Sequence, residues 1–177
     1  MIARALPTPL SMHLIVVGGD ACLGSRKSTW QTAWTILSSK IHLAPPGSRV
    51  IYGPQKGSPD ALASEAAAAS RHQGLCYGRD GLILGTASFS RDKEYPESGY
   101  YREVVGRWSH EPTPEGLAME LAQHAALRKA DGWGVVAYIL HGWDGSFRGE
   151  RLAERLRHLG VEPTEWDIAE DGRTSER

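Results

Sequence analysis

His13-Leu14-Ile15-Val16-Val17, closed by Gly18-Gly19, is the stretch that decides the fold. Its four apolar residues run without a polar interruption. A strand with one face in water alternates, whereas an unbroken short run marks a strand covered on both faces. Val135-Val136-Ala137-Tyr138-Ile139-Leu140 repeats the pattern and ends in His141-Gly142-Trp143-Asp144-Gly145-Ser146. Arg49 to Tyr52, stopped by Gly53-Pro54, and Gly74 to Tyr77 read as two further strands. Leu82 to Leu84 extends or pairs with the latter, and Val161 to Ile168 is the last.

The segments between these runs have helical character. Ser28 with Gln31 has the spacing of a capping box, and Trp30, Trp34, Leu37 and Ile41 then recur on one face, up to Pro45-Pro46-Gly47. Ser58-Pro59-Asp60 offers a cap followed by proline at the first helical position, where its missing N–H is no loss. Helices are also expected from Thr113 to about Ala130, with Leu117, Leu121, His124 and Leu127 or Arg128 along one side, and from Arg148 to Leu159, closed by Gly160. Strands alternating with helices predict an α/β fold, a Rossmann-like open and mostly parallel sheet flanked by helices on both faces.

One domain over 13–168 is expected, preceded by a loose N-terminal arm at 1–12 and followed by a flexible tail at 169–177. Residues 85–113 read as a long irregular insertion or lid carrying Tyr95, Tyr100, Tyr101 and Trp108. The chain has 177 residues, enough for one hydrophobic core, and its 20 Lys plus Arg nearly balance 21 Asp plus Glu. That balance argues against a protein that grips duplex DNA through a basic face. Two cysteines without metal-ligand spacing predict neither a disulfide framework nor a metal site, and a cytoplasmic setting. No apolar run is long enough to cross a bilayer, and no cofactor fingerprint is present.

Three strand ends carry Gly-rich loops: Gly18 to Arg26, Gly53 to Asp60, and Gly142 to Ser146. Each puts backbone N–H groups and a hydroxyl at a helix start, where the helix dipole favours an anion. Arg26 and Lys56 add full charges. Tight turns need glycine for purely structural reasons, but three such loops on one sheet edge point to a shared pocket. None is a Walker or GxGxxG motif, so neither an NTPase nor an NAD enzyme is expected.

Gly24-Ser25-Arg26 after the first strand, the Gly53-x-x-x-Gly57-x-x-Asp60-x-Leu62-Ala63 segment, and the apolar strand leading to Gly142-x-x-Gly145-Ser146 follow one another in the order seen in the SLOG superfamily. Over roughly Leu14 to Trp166 the chain resembles its YspA-like branch, related to the Lonely Guy phosphoribohydrolases and to the DNA-processing protein DprA. The resemblance implies a nucleotide or nucleotide-derived ligand, and a homodimer. It assigns Gly24, Ser25 and Arg26 to the phosphate or base end and Gly53, Lys56, Gly57 and Asp60 to a second wall. Gly142, Gly145 and Ser146 correspond to the superfamily's phosphate-binding loop.

The chain departs from that pattern at several positions. His141 stands for a proline and Trp143 for a glycine. Gly149 occupies the place of the hydrolases' catalytic Glu, with Glu150 one residue beyond. Gln123 and His124 stand where the YspA-like branch has an Arg-Asn pair. His124 and His141 remain candidate ligand contacts, though a buried structural histidine is the commoner outcome. The expected function is therefore a ligand sensor or sequestering protein. The alternative is a nucleoside-monophosphate N-glycosidase with Asp60, Asp144 or Glu150 as its carboxylate. A single-stranded DNA binder is a third reading, disfavoured by the neutral charge.

Overall fold

In the computed structural model of the chain, Leu14 and Val16 face one apolar cluster while Ile15 and Val17 face another, and all four are buried. The structure describes residues 12–55, 57–78, 81–84 and 114–177. Lys56, the arm up to residue 11 and the 85–113 segment with Tyr95, Tyr100, Tyr101 and Trp108 lie outside them. The strand that carries the alternation, β1 (His13–Gly19), is the centre of the sheet.

Two units wind away from β1 in opposite directions. On one side it pairs in parallel with β2 (Arg49–Tyr52), which pairs in parallel with β3 (Gln73–Gly78). On the other it pairs in parallel with β5 (Gly134–His141), which pairs in parallel with β6 (Thr164–Ile168). Antiparallel strands close both edges, β4 (Gly81–Leu84) beside β3 and β7 (Thr174–Glu176) beside β6. The order β4-β3-β2-β1-β5-β6-β7 contains the five-strand core of a Rossmann-like sheet, whose order reverses between β1 and β5.

Helices α1 (Lys27–His42) and α2 (Pro59–Ala69) contribute Ala33, Leu37, Leu62 and Ala66 to the cluster on one face of the sheet. Helices α3 (Pro114–Ala130) and α4 (Arg148–His158) contribute Leu117, Leu121, Leu152 and Leu156 to the other. The expected α/β class with helices on both faces is what the chain adopts.

Three local expectations change. Helix α1 starts at Lys27 with an extended Arg26 as its cap and no side-chain capping bond, so Ser28 lies within the first turn and forms no capping box. The buried Thr29 hydroxyl instead donates to the carbonyls of Leu23 (2.7 Å) and Arg26 (3.0 Å), binding the preceding 3-10 turn (Ala21–Ser25) to the helix. The buried stripe of α1 is Thr29, Ala33, Leu37 and Ile41, with Trp30 and Trp34 half-buried against it. Residues 169–177, expected as a flexible tail, turn back through Gly172 and add β7 to the sheet. Arg177 then pairs with Asp167 and Glu150.

The loops after β1 and β2 touch backbone to backbone. A Cβ on Gly24 would lie 2.1 Å from the Gly57 carbonyl oxygen, closer than any real contact. Gly24→Ala therefore forces the two loops apart and is expected to cost about 1–3 kcal/mol, read as a lower urea midpoint at unchanged m-value.

Candidate functional site

The three Gly-rich loops do converge at the carboxyl edge of the sheet, but they hold each other rather than an open anion cradle. Gly24 and Gly57 join the first two, and the residue that ties the first to the third is Asp20, directly after β1. Its backbone N–H donates to the Leu140 carbonyl (3.0 Å). One carboxylate oxygen accepts from the Gly142 N–H (2.8 Å), and the other accepts from the Gly149 N–H (3.0 Å) and the Ser146 hydroxyl (3.3 Å). The Gly149 amide in the first turn of α4 and the loop before it are thus paired with an internal carboxylate. Cys22 fills the space beside Gly142, where a Cβ would lie 2.2 Å from its Sγ. Burial raises the Cys22 thiol pKa, so it stays protonated at neutral pH.

Most sequence-derived candidates have structural partners. Gly24 and Gly57 pack on one another, and the Ser25 hydroxyl donates to the Cys22 carbonyl (2.5 Å). Arg26 pairs with Glu170. Gly145 takes the left-handed conformation of a tight turn (φ +70°). Asp144 accepts from the Ser146 N–H (2.9 Å). Burial pushes its carboxyl up, but hydrogen bonds from Ser146 and Cys22 outweigh that and hold it below the ordinary carboxylate range.

His141 is buried beneath Gly149 with its Nε2 2.7 Å from the Glu165 carboxylate, in a cluster that includes Arg157 and Arg177. Glu150 belongs to the same cluster, 2.6 Å from the Arg177 guanidinium. His124 is buried on α3, and burial, with Arg128 and Arg49 nearby, depresses its pKa to about 4. It is neutral at physiological pH.

The exception is Asp60. It lines a cleft at the end of β1 together with Gly18, Leu117, Leu121, Arg148 and Leu152. The position is the one topology favours, beyond the carboxyl end of the strand where the sheet order reverses. Helix α2 fixes Asp60 through its start: the Ser58 hydroxyl accepts from the Asp60 N–H (3.2 Å), and Pro59 holds the first helical position. Burial pushes the Asp60 carboxyl up to about 6. Hydrogen bonds from the Gln55 and Gly53 N–H groups and the Arg148 charge pull the other way without cancelling it. Gly53 is pressed against this carboxyl, its notional Cβ 2.9 Å from an Asp60 oxygen.

A carboxyl that titrates near 6 can accept a hydrogen bond when ionised, donate one when protonated, and exchange its proton near neutrality. The free volume of the cleft is about 20 Å³, room for a group of water size.

Two contributors escaped the sequence reading. Asp20 looked like part of a turn. Arg148 looked like the first residue of a helix, yet a cation there opposes the helix dipole, and that local conflict was the available signal. The residue before it breaks a rule as well. Phe147 is 60% exposed and left-handed (φ 56°, ψ 21°), a conformation bulky residues rarely take and which concentrates at functional sites.

The fold and the cleft define the class: an α/β protein with a Rossmann-like sheet and a carboxylate–guanidinium cleft at its switch point. No family model, no curated protein and no solved structure matches the chain. Among the described residues no helix is long and apolar enough to cross a membrane, and no group of His, Cys, Asp and Glu has the geometry to hold a metal ion.

Asp60 is expected to trade stability for its position. Its folded pKa lies above the unfolded value, so the folded state favours the protonated carboxyl. The group costs nothing below about pH 4, and its penalty grows as pH rises through 6 to roughly 3 kcal/mol. Asp60→Asn should therefore be more stable than wild type in urea at pH 8, with the difference shrinking to near zero at pH 4.

Proposed function

We propose that the chain binds a nucleotide-derived small molecule in the cleft beside Asp60 and Arg148, as a sensor or sequestering protein. The observation that carries this reading is the buried Asp60 carboxyl at the switch point, raised to about 6 and faced by a cation. An ionisable group is kept there against its own solvation, and such groups concentrate at functional sites. The order of the short SLOG-like motifs supports the chemical class of the ligand. The room in the cleft suits one polar terminus of a ligand, with the remainder toward the mouth.

Binding is favoured over cleavage because two of the three carboxylates considered for hydrolysis are engaged elsewhere. Glu150 is held by Arg177, and Asp144 by the turn at Ser146. Asp60 alone keeps the N-glycosidase reading open, since its raised pKa suits proton transfer.

A panel of nucleosides, nucleoside monophosphates, NAD derivatives and cyclic nucleotides separates the two. A ligand at a hundred times its Kd adds about 2.7 kcal/mol, which for a chain of this size is a rise of about 5–10 °C in Tm. Arg148→Met and Asp60→Asn should lose most of that rise while remaining folded. Release of free base by wild type but not by Asp60→Asn would establish the hydrolase instead. Absence of any thermal shift across the panel would sink the binding reading.

A further inference from the structure

The first amides of a helix form a ready site for an oxyanion, because unpaired N–H groups and the helix dipole both favour negative charge. At the start of α4 the protein fills that place itself. Both oxygens of Asp20 are used, by the Gly142 and Gly149 N–H groups and the Ser146 hydroxyl, and the residue is 5% exposed. Its backbone is pinned as well. The Asp20 N–H is bonded to Leu140, and at Gly19, just before it, a Cβ would lie 2.3 Å from the Leu140 carbonyl oxygen and 2.8 Å from Pro59. The backbone is thus fixed, and the carboxylate leaves its place only by giving up all three of its hydrogen bonds.

We propose that Asp20 is a built-in anion that sets the ligand class of the adjoining cleft, which takes a nucleoside or free base and excludes the phosphorylated form. The inference rests on the reading of that cleft as the binding site for a nucleotide-derived molecule. Gly18 and Gly19 line the cleft, and Asp20 follows them immediately. Arg148 lines it from α4, and the next residue, Gly149, donates to Asp20. The Asp60 carboxyl interacts with the Arg148 charge inside the cleft, and Asp20 lies one residue beyond the cleft wall on both sides, next to Gly19 and bonded to Gly149.

A phosphate arriving at the α4 amides must displace a carboxylate already hydrogen-bonded three times. A phosphate placed deeper in the cleft meets Asp60. A hydroxyl or exocyclic amino group meets neither obstacle, because it donates to Asp60. Only a group of water size fits beside Asp60 itself, so the part of the ligand that reaches this carboxyl is a small donor and not a phosphate with its four oxygens.

The test is calorimetric titration of wild type, Asp20→Ala and Asp20→Asn with adenosine, guanosine, cytidine, uridine, their 5′-monophosphates and inorganic phosphate. Wild type is expected to bind one nucleoside at least about tenfold more tightly than its monophosphate and to show no heat with phosphate. Asp20→Ala, which frees the α4 amides, should take inorganic phosphate with at least about a tenfold gain over wild type. Asp20→Asn keeps the side chain's shape without its charge, and should narrow the gap between nucleoside and monophosphate even if the alanine variant does not fold. Wild type binding a monophosphate more tightly than its nucleoside overturns the inference and leaves the cleft reading standing. Wild type binding nothing while Asp20→Ala gains phosphate removes the cleft reading and keeps Asp20 as the internal anion. An unchanged gap in the asparagine variant, with no phosphate gain in the alanine variant, overturns the role given to Asp20.

Discussion

The carboxylate of Asp20 sits where three separate pieces of the chain must meet. It reaches from the end of β1 to the loop after β5 and to the first turn of α4, where it satisfies the Gly149 amide that the helix leaves without a partner. In a parallel sheet neighbouring strands are joined by long crossovers, so nothing local sets the relative positions of their ends. A buried charge-assisted hydrogen bond does so here, with contacts of 2.8 and 3.0 Å. The glycines around it are consequences of that closeness, because Gly19 and Gly142 each lie where a Cβ would collide with a neighbour.

Once the loops are locked together, the surface left for chemistry is small. The cleft at the end of β1 is walled by α3 and α4 on one side and by the start of α2 on the other. Its polar groups are Asp60 and Arg148, which come from helices on opposite faces of the sheet. Their encounter lies past the glycine-ended carboxyl end of β1, where Gly18 and Gly19 leave room for the two layers to approach each other. Burial of Asp60 in that gap raises its pKa.

The charged cluster on the far side of α4 does different work. His141, Glu165, Arg157 and Arg177 meet beneath the helix, with Glu150 and Asp167 at its margin. A buried carboxylate is tolerated when it has an opposite charge and hydrogen bonds, and Glu165 has both, from Arg157 and His141. The cluster fastens β7 and the end of the chain to the sheet. It also takes Glu150 and His141 out of the reach of the cleft, although both stand beside the loop that the sequence marked as functional.

The sequence by itself determined the layers and their order of appearance. Unbroken apolar runs at β1 and β5, a capped Ser58-Pro59 helix start and the strongly amphipathic α4 are local patterns, and local patterns survive without knowledge of partners. It also located the edge of the sheet on which Asp60 and Arg148 meet, because glycines follow the strands there. The tertiary structure alone decided which groups face which. Asp20 and Gly149 are far apart in sequence, as are Asp60 and Arg148, and no periodicity links them. Whether a glycine-rich loop cradles a ligand or the chain's own carboxylate depends on what packs against it. Here the residue that packs against it comes from another strand, and only the assembled sheet brings it there.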